Sequence, residues 1–125
     1  MPESYEIDVA RGLVVCRAWG DLSNEDLRRH YRRLAADPDF SPDFLQIADL
    51  SGVTEFTLDS SVVEAEAQTS VFARGTRRAF VAPKGVAYGL ARMFAAHSAE
   101  AGQEMQVFTE RSNAEEWLGL KARTA

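Results

Sequence analysis

Phe44-Leu45-Gln46-Ile47-Ala48-Asp49-Leu50-Ser51-Gly52, followed after a short linker by Asp59-Ser60-Ser61-Val62-Val63, is the stretch that decides the fold. Its first seven residues form an apolar run of strand length, and the Ser51-Gly52 pair reads as the turn that closes it. The polar Asp59-Ser60-Ser61 cluster then opens a second periodic segment. Strand, loop and helix in that order make half of a crossover unit. The loop falls at the carboxyl edge of the sheet, where α/β proteins hold ligands and switchable residues.

Upstream, Tyr5 to Val9 alternates apolar and polar residues and reads as an edge strand. Arg11-Gly12 breaks it, and Leu13 to Trp19 follows as its hairpin partner. That second strand is apolar on both faces, with Leu13, Val15 and Trp19 on one and Val14, Cys16 and Ala18 on the other, as an interior strand requires. Gly20-Asp21-Leu22 reads as a turn. Ser23 caps a helix, with Asp26 completing a weaker form of the capping box. Leu27, Tyr31 and Leu34 make the buried stripe of that helix, and Asp37-Pro38 ends it. Glu25 has Arg28 and Arg29 within pairing distance along the helix, and Asp26 has His30.

Downstream, the second helix is expected from about Ser60 to Phe72, with Val62 or Val63, Ala67 and Val71 inward. Arg78 to Ala82 is a short strand closed by Pro83. A third helix spans roughly Gly85 to Ala101, and its most apolar face carries Val86, Leu90, Met93, Phe94, His97 and Ala101. Glu104 to Phe108 alternates as a last strand. Ser112 with Glu115 offers a capping box for a final short helix, which buries Ala114, Trp117 and Leu118. Lys121 to Ala125 is expected to fray. The order ββαβαβαβα predicts one α/β domain over residues 1–125, a mostly parallel sheet with an antiparallel amino-terminal hairpin.

Composition narrows the function classes. The 125 residues are 46% hydrophobic and 26% charged, with a formal net charge of -5, an ordinary balance for a folded domain and a poor one for nucleic acid. Cys16 is the only cysteine, which excludes an intrachain disulfide and a multi-cysteine metal site. No apolar run approaches the ~18 residues of a membrane span, and the amino terminus lacks the basic and apolar parts of a secretory signal. A cytoplasmic protein is the expectation.

The candidate functional residues each carry two readings. Ser60 and Ser61 either cap the second helix or present a phosphate acceptor at its amino terminus, where a dianion is stabilised. No Gly-x-Ser-x-Gly elbow accompanies them, so they do not read as nucleophiles. Arg28, Arg29, Arg32 and Arg33 form either a solvated helix face or a docking face for an acidic protein partner or anionic head group. Met93, Phe94 and His97 either fill core or line a small-molecule pocket. Small residues on the third helix, from Ala87 and Gly89 to Ala99, permit close packing or leave room for an apolar ligand. His30 and His97 lack ligand spacing, so no metal is expected, and no glycine loop has a cofactor fingerprint.

With those residues in view, the chain resembles the STAS superfamily, specifically the bacterial SpoIIAA-like proteins, also grouped with SEC14/CRAL-TRIO-like lipid-binding folds. The resemblance rests on Gly20-Asp21-Leu22-Ser23, on Phe44 to Val53 with its Asp49-Leu50-Ser51-Gly52 close, and on Arg78-Ala79-Phe80-Val81-Ala82-Pro83. Tyr88 to Phe94, Val107-Phe108 and Glu116-Trp117-Leu118 complete it. It implies a non-enzymatic regulatory module that binds a protein partner, a kinase or anti-sigma-like regulator among the candidates, or its own copy. Anti-sigma-factor antagonists of the wider superfamily are phosphorylated on a serine at a helix start. That carries over to Ser61 first and Ser60 second, with Val62 standing where those proteins have glycine. The SEC14/CRAL-TRIO-like comparison implies instead an apolar or lipid ligand held between helices and sheet.

Overall fold

The computed structural model describes residues 2–120, so the expectation for Lys121 to Ala125 lies outside the described residues. Five strands, β1 (Glu3–Asp8), β2 (Leu13–Ser23), β3 (Leu45–Thr57), β4 (Arg77–Val81) and β5 (Glu104–Phe108), form one sheet in sequential order. β1 pairs antiparallel with β2, and every other pairing is parallel. Helices α1 (Asn24–Ala36), α2 (Ser60–Gln68) and α3 (Val86–Glu100) connect the parallel strands, and α4 (Arg111–Trp117) follows β5. All three crossovers step the same way across the sheet. With one common hand, that direction lays α1, α2 and α3 on a single face.

Strand alternation divides the core accordingly. Val14, Cys16, Ala18 and Leu22 of β2 join Ala48, Leu50 and Phe80 beneath α1 to α3. Leu13, Ile47, Ala79 and Val81 meet Ala114 of α4 and Leu118 just beyond it on the other face. α4 is short and sits over β3 to β5, which leaves Trp19 on the same side of β2 42% exposed.

The largest departure from the sequence reading lies at the two turns. Neither Gly20-Asp21-Leu22 nor Ser51-Gly52 is one. β2 runs on to Ser23 and β3 to Thr57, paired with each other from Trp19 opposite Gly52 to Ser23 opposite Thr57, with register shifts on either side of Gly20. Each supplies the ladder partner the other lacks, and Leu22 and Val53 gain burial there, which outweighs local turn preference. Gly52 serves close approach and not a bend, since a Cβ there would lie 2.9 Å from Trp19 Cβ. Gly20 does need glycine, at φ 67° where the register shifts.

The remaining corrections are local. α1 has its predicted cap: Ser23 Oγ accepts from the Asp26 amide at 3.3 Å, and Asp26 Oδ2 accepts from the Ser23 amide at 3.0 Å. The surface pairs differ, because Glu25 takes Arg32, Asp26 takes Arg29, and His30 turns inward. α2 stops at Gln68, while Phe72 is buried from the irregular segment beyond it. α3 is turned relative to the predicted face: Ala87, Leu90, Ala91, Phe94 and Ser98 are buried and Val86 is 46% exposed. Small residues point at the sheet because they let the helix approach closely. Ser112 does not cap α4; Glu110 precedes the helix, and Glu115 pairs with Arg111 at 2.9 Å in place of closing a capping box.

Candidate functional site

Four strands and α1 send polar side chains into one region of the helix-covered face. Gln46 stands directly opposite Arg78 across the β3–β4 ladder. Alternation turns Arg78 to the same side as Phe80, and the side chain is only 1% exposed as a residue. Its Nε donates to Gln46 Oε1 at 2.7 Å, Nη1 to Ser70 Oγ at 3.2 Å and Nη2 to Tyr31 Oη at 3.1 Å. The guanidinium lies 4.6 Å from the Phe72 ring centre, with the rings of Phe94, Tyr31 and Phe80 within 6.0 Å. Among the described residues no carboxylate is within ion-pair distance of it. Aromatic faces and neutral acceptors therefore carry the charge. Burial pushes the Arg78 pKa down against the opposing pull of Tyr31 and Cys16, and burial pushes the Tyr31 phenol up.

Beside this network lies a second one. Glu3, with a side chain 2% exposed, accepts from His30 Nδ1 at 2.9 Å and from Arg29 and Arg33 at 3.4 Å each. His30 is wedged edge-on between Tyr5 and Tyr31. Burial alone would lower its pKa, but interaction with Cys16 and the hydrogen-bonded Glu3 outweighs that, and the pKa is raised. Gln46 Nε2 donates to Cys16 Sγ at 3.3 Å.

The space these groups enclose is small. A cavity of about 50 Å³ lies between α1, α3 and the sheet, walled by residues that include Cys16, His30, Tyr31, Leu50, Phe80 and Phe94. It holds a few waters at most, well below the ~150 Å³ that admits benzene in an engineered apolar cavity. Cys16, on its wall, is 4% exposed.

The predicted site residues are dispersed. Phe94 is on the cavity wall, but Met93 and His97 are not. His97 sits instead at the α2–α3 boundary near Glu64 and Glu100. Arg29 and Arg33 are tied to Glu3 and Arg32 to Glu25, so the four arginines are not one free basic face. Ser60 and Ser61 are exposed in the first turn of α2. Asp59, in the cap position, does not bond helix amides with its side chain. It exchanges two bonds with Asn24, its amide donating to Asn24 Oδ1 at 2.9 Å and its Oδ2 accepting from Asn24 Nδ2 at 3.1 Å. Sequence reading placed Arg78 only as the first residue of β4, with no partner inside the fold. The period of Arg78, Phe80 and Ala82 was the signal that it faces inward.

Protein-family models and curated proteins give no match to the chain. Among solved structures the chain is similar to an uncharacterized protein from the DUF3478 family with a SpoIIAA-like fold, from Shewanella loihica PV-4, at a TM-score of 0.61. The alignment covers 93% of each chain at 17% identity. This chain has a SpoIIAA-like fold. At that identity the likeness establishes the SpoIIAA-like architecture and assigns no activity. Among the described residues, no helix is long and apolar enough to cross a membrane.

Proposed function

We propose that this SpoIIAA-like protein works by contact with a protein partner and not by chemistry, and that the contact is made at the carboxyl edge of the sheet. The observation that carries the reading is the arm formed where β2 and β3 overrun the rest of the sheet. β4 pairs only with Gln46 to Asp49, so β3 beyond that point pairs with β2 alone. The arm carries the exposed Trp19 and runs, through Leu58, into the exposed Ser60 and Ser61. An aromatic anchor beside unpaired strand edge is the kind of surface that partners use. Phosphorylation of Ser61, and secondarily Ser60, would add a dianion at the α2 amino terminus next to Asp59 and so switch the contact. A regulatory kinase or a second copy of the chain fits the same surface.

Affinity capture from a lysate of the source organism tests this, with wild type and Trp19→Ser compared. A defined protein should be retained by wild type and fall at least tenfold with the variant. Equal retention by both, or nothing above bare resin, removes the arm as the contact. Incubation of the same lysate with ATP followed by mass spectrometry should show phosphoserine at Ser61; its absence at both serines removes the switch and leaves the contact.

The cavity beneath α1 favours a second reading, a small apolar ligand. Leu22, Leu50, Phe80, Leu90 and Phe94 give it apolar lining, and it lies between helices and sheet where such a ligand would sit. At about 50 Å³ it would need α1 or α3 to move outward for anything larger than a few atoms. Native mass spectrometry of freshly purified protein should then show a retained small molecule, and bare protein counts against this reading.

A further inference from the structure

We propose that Glu64, His97 and Glu100 form a binding site for a borderline divalent cation of the zinc class, clipping α2 to α3. One ligand atom from each of the three residues lies within 4.8 Å of the others. A zinc ion with ligands at ~2.1 Å sets them ~3.4 Å apart in a tetrahedron, so closing the site takes little more than ~1 Å of side-chain movement. Glu64 and Glu100 are exposed, with Glu64 held only by a surface bond from Gln68, so the movement is open to both.

Three further observations point to a cation. His97 Nδ1 is shielded from solvent and has no hydrogen-bond partner, and its nearest carboxylate oxygen, Glu100 Oε2, is 4.0 Å away, too far for a bond. That nitrogen belongs to a side chain 23% exposed, and a metal would supply the partner it lacks. Neither carboxylate has a lysine or arginine within ion-pair distance among the described residues, so their negative charge is not locally compensated. Gln68 Nε2 donates to Glu64 Oε1 at 3.3 Å, the kind of outer hydrogen bond that orients a ligating carboxylate. One imidazole and two carboxylates suit zinc and its first-row neighbours, whereas magnesium and calcium prefer oxygen alone. Three protein ligands leave the fourth position to water.

The test is calorimetric titration of the untagged full chain with zinc chloride, with magnesium and calcium chlorides alongside. One zinc per chain should bind and raise the melting temperature, and cobalt(II) should give the visible bands of a tetrahedral site. Affinity should fall at least tenfold in His97→Gln and in Glu100→Gln, and be unchanged in Cys16→Ser. Glu100 is a surface side chain, so that variant decides the matter even if His97→Gln unfolds. Absence of saturable one-to-one binding, an unchanged affinity in Glu100→Gln, or magnesium binding as tightly as zinc would each overturn the assignment.

Discussion

At the scale of single residues, the interior is built around two charges that hydropathy places on the surface. Glu3 reads as part of a polar amino terminus, yet it is buried against three basic groups of α1 and pins the edge strand to the helix. Arg78 reads as the opening residue of β4 and is enclosed there by aromatic rings and neutral acceptors. In both cases the missing information is the partner. A lone charged residue is too costly to bury, and only the assembled neighbours make it tolerable. The Glu3–His30 bond has a pH signature. The folded-state pKa of His30 is raised, by Cys16 and then by Glu3 against burial, above an unfolded value of ~6.5. Its contribution to stability is therefore fully present below that unfolded value and is lost as pH rises through the folded one. Glu3→Gln should lower unfolding free energy by about 2 kcal/mol at mildly acid pH, the range for hydrogen bonds to charged groups. The loss should shrink as pH rises through the folded pKa. Urea unfolding from about pH 6 to pH 9 checks this; a loss independent of pH would show that His30 does not titrate against Glu3.

At the scale of elements, what the sequence discloses is strand and helix identity, and what it conceals is where a strand stops. All nine elements were legible in order because periods of two and of three to four residues survive without tertiary context. Ser51-Gly52 misled because the same glycine that permits a turn also permits close contact, and only the neighbour distinguishes them. Two glycines separate these roles by experiment. At Gly52 an added Cβ meets Trp19 Cβ at 2.9 Å and the Ala18 carbonyl at 3.4 Å, so Gly52→Ala should destabilise by about 1–3 kcal/mol through overpacking. Gly89, inside α3, has nothing within 4 Å of the corresponding position. Gly89→Ala should therefore stabilise by about 0.5–1 kcal/mol through helix propensity alone. Chemical denaturation of the two variants reads both signs. A neutral Gly52→Ala would restore the turn and remove the close approach. The face of α3 was misread for a related reason: a maximal apolar stripe selected Val86 and Met93, while the sheet selected Ala87 and Ala91 for their size.

At the scale of the whole molecule, sequential strand order confines three helices to one face and leaves the other to α4. The sheet therefore ends unevenly, and β2 and β3 project beyond their neighbours. The candidate site depends on that projection, which no local pattern announces, since it arises from two segments far apart in sequence pairing for their full length. Hydrogen exchange distinguishes the projecting arm from a loop. In the central sheet, Gln46 to Asp49 are flanked by β2 and β4, and their amides should be the slowest to exchange. From Val53 to Thr57 only one flank is paired, and amides of a parallel strand point alternately to either side. Protection there should alternate residue by residue, with those directed at β2 slowed and their neighbours exchanging at rates near those of loops. Uniformly fast exchange over residues 53–57 would mean that the chain leaves the sheet at Ser51-Gly52 after all. That result would also dissolve the arm on which the partner contact rests. Alternating protection that becomes uniform when a captured partner is added would place the partner on the unpaired edge of β3.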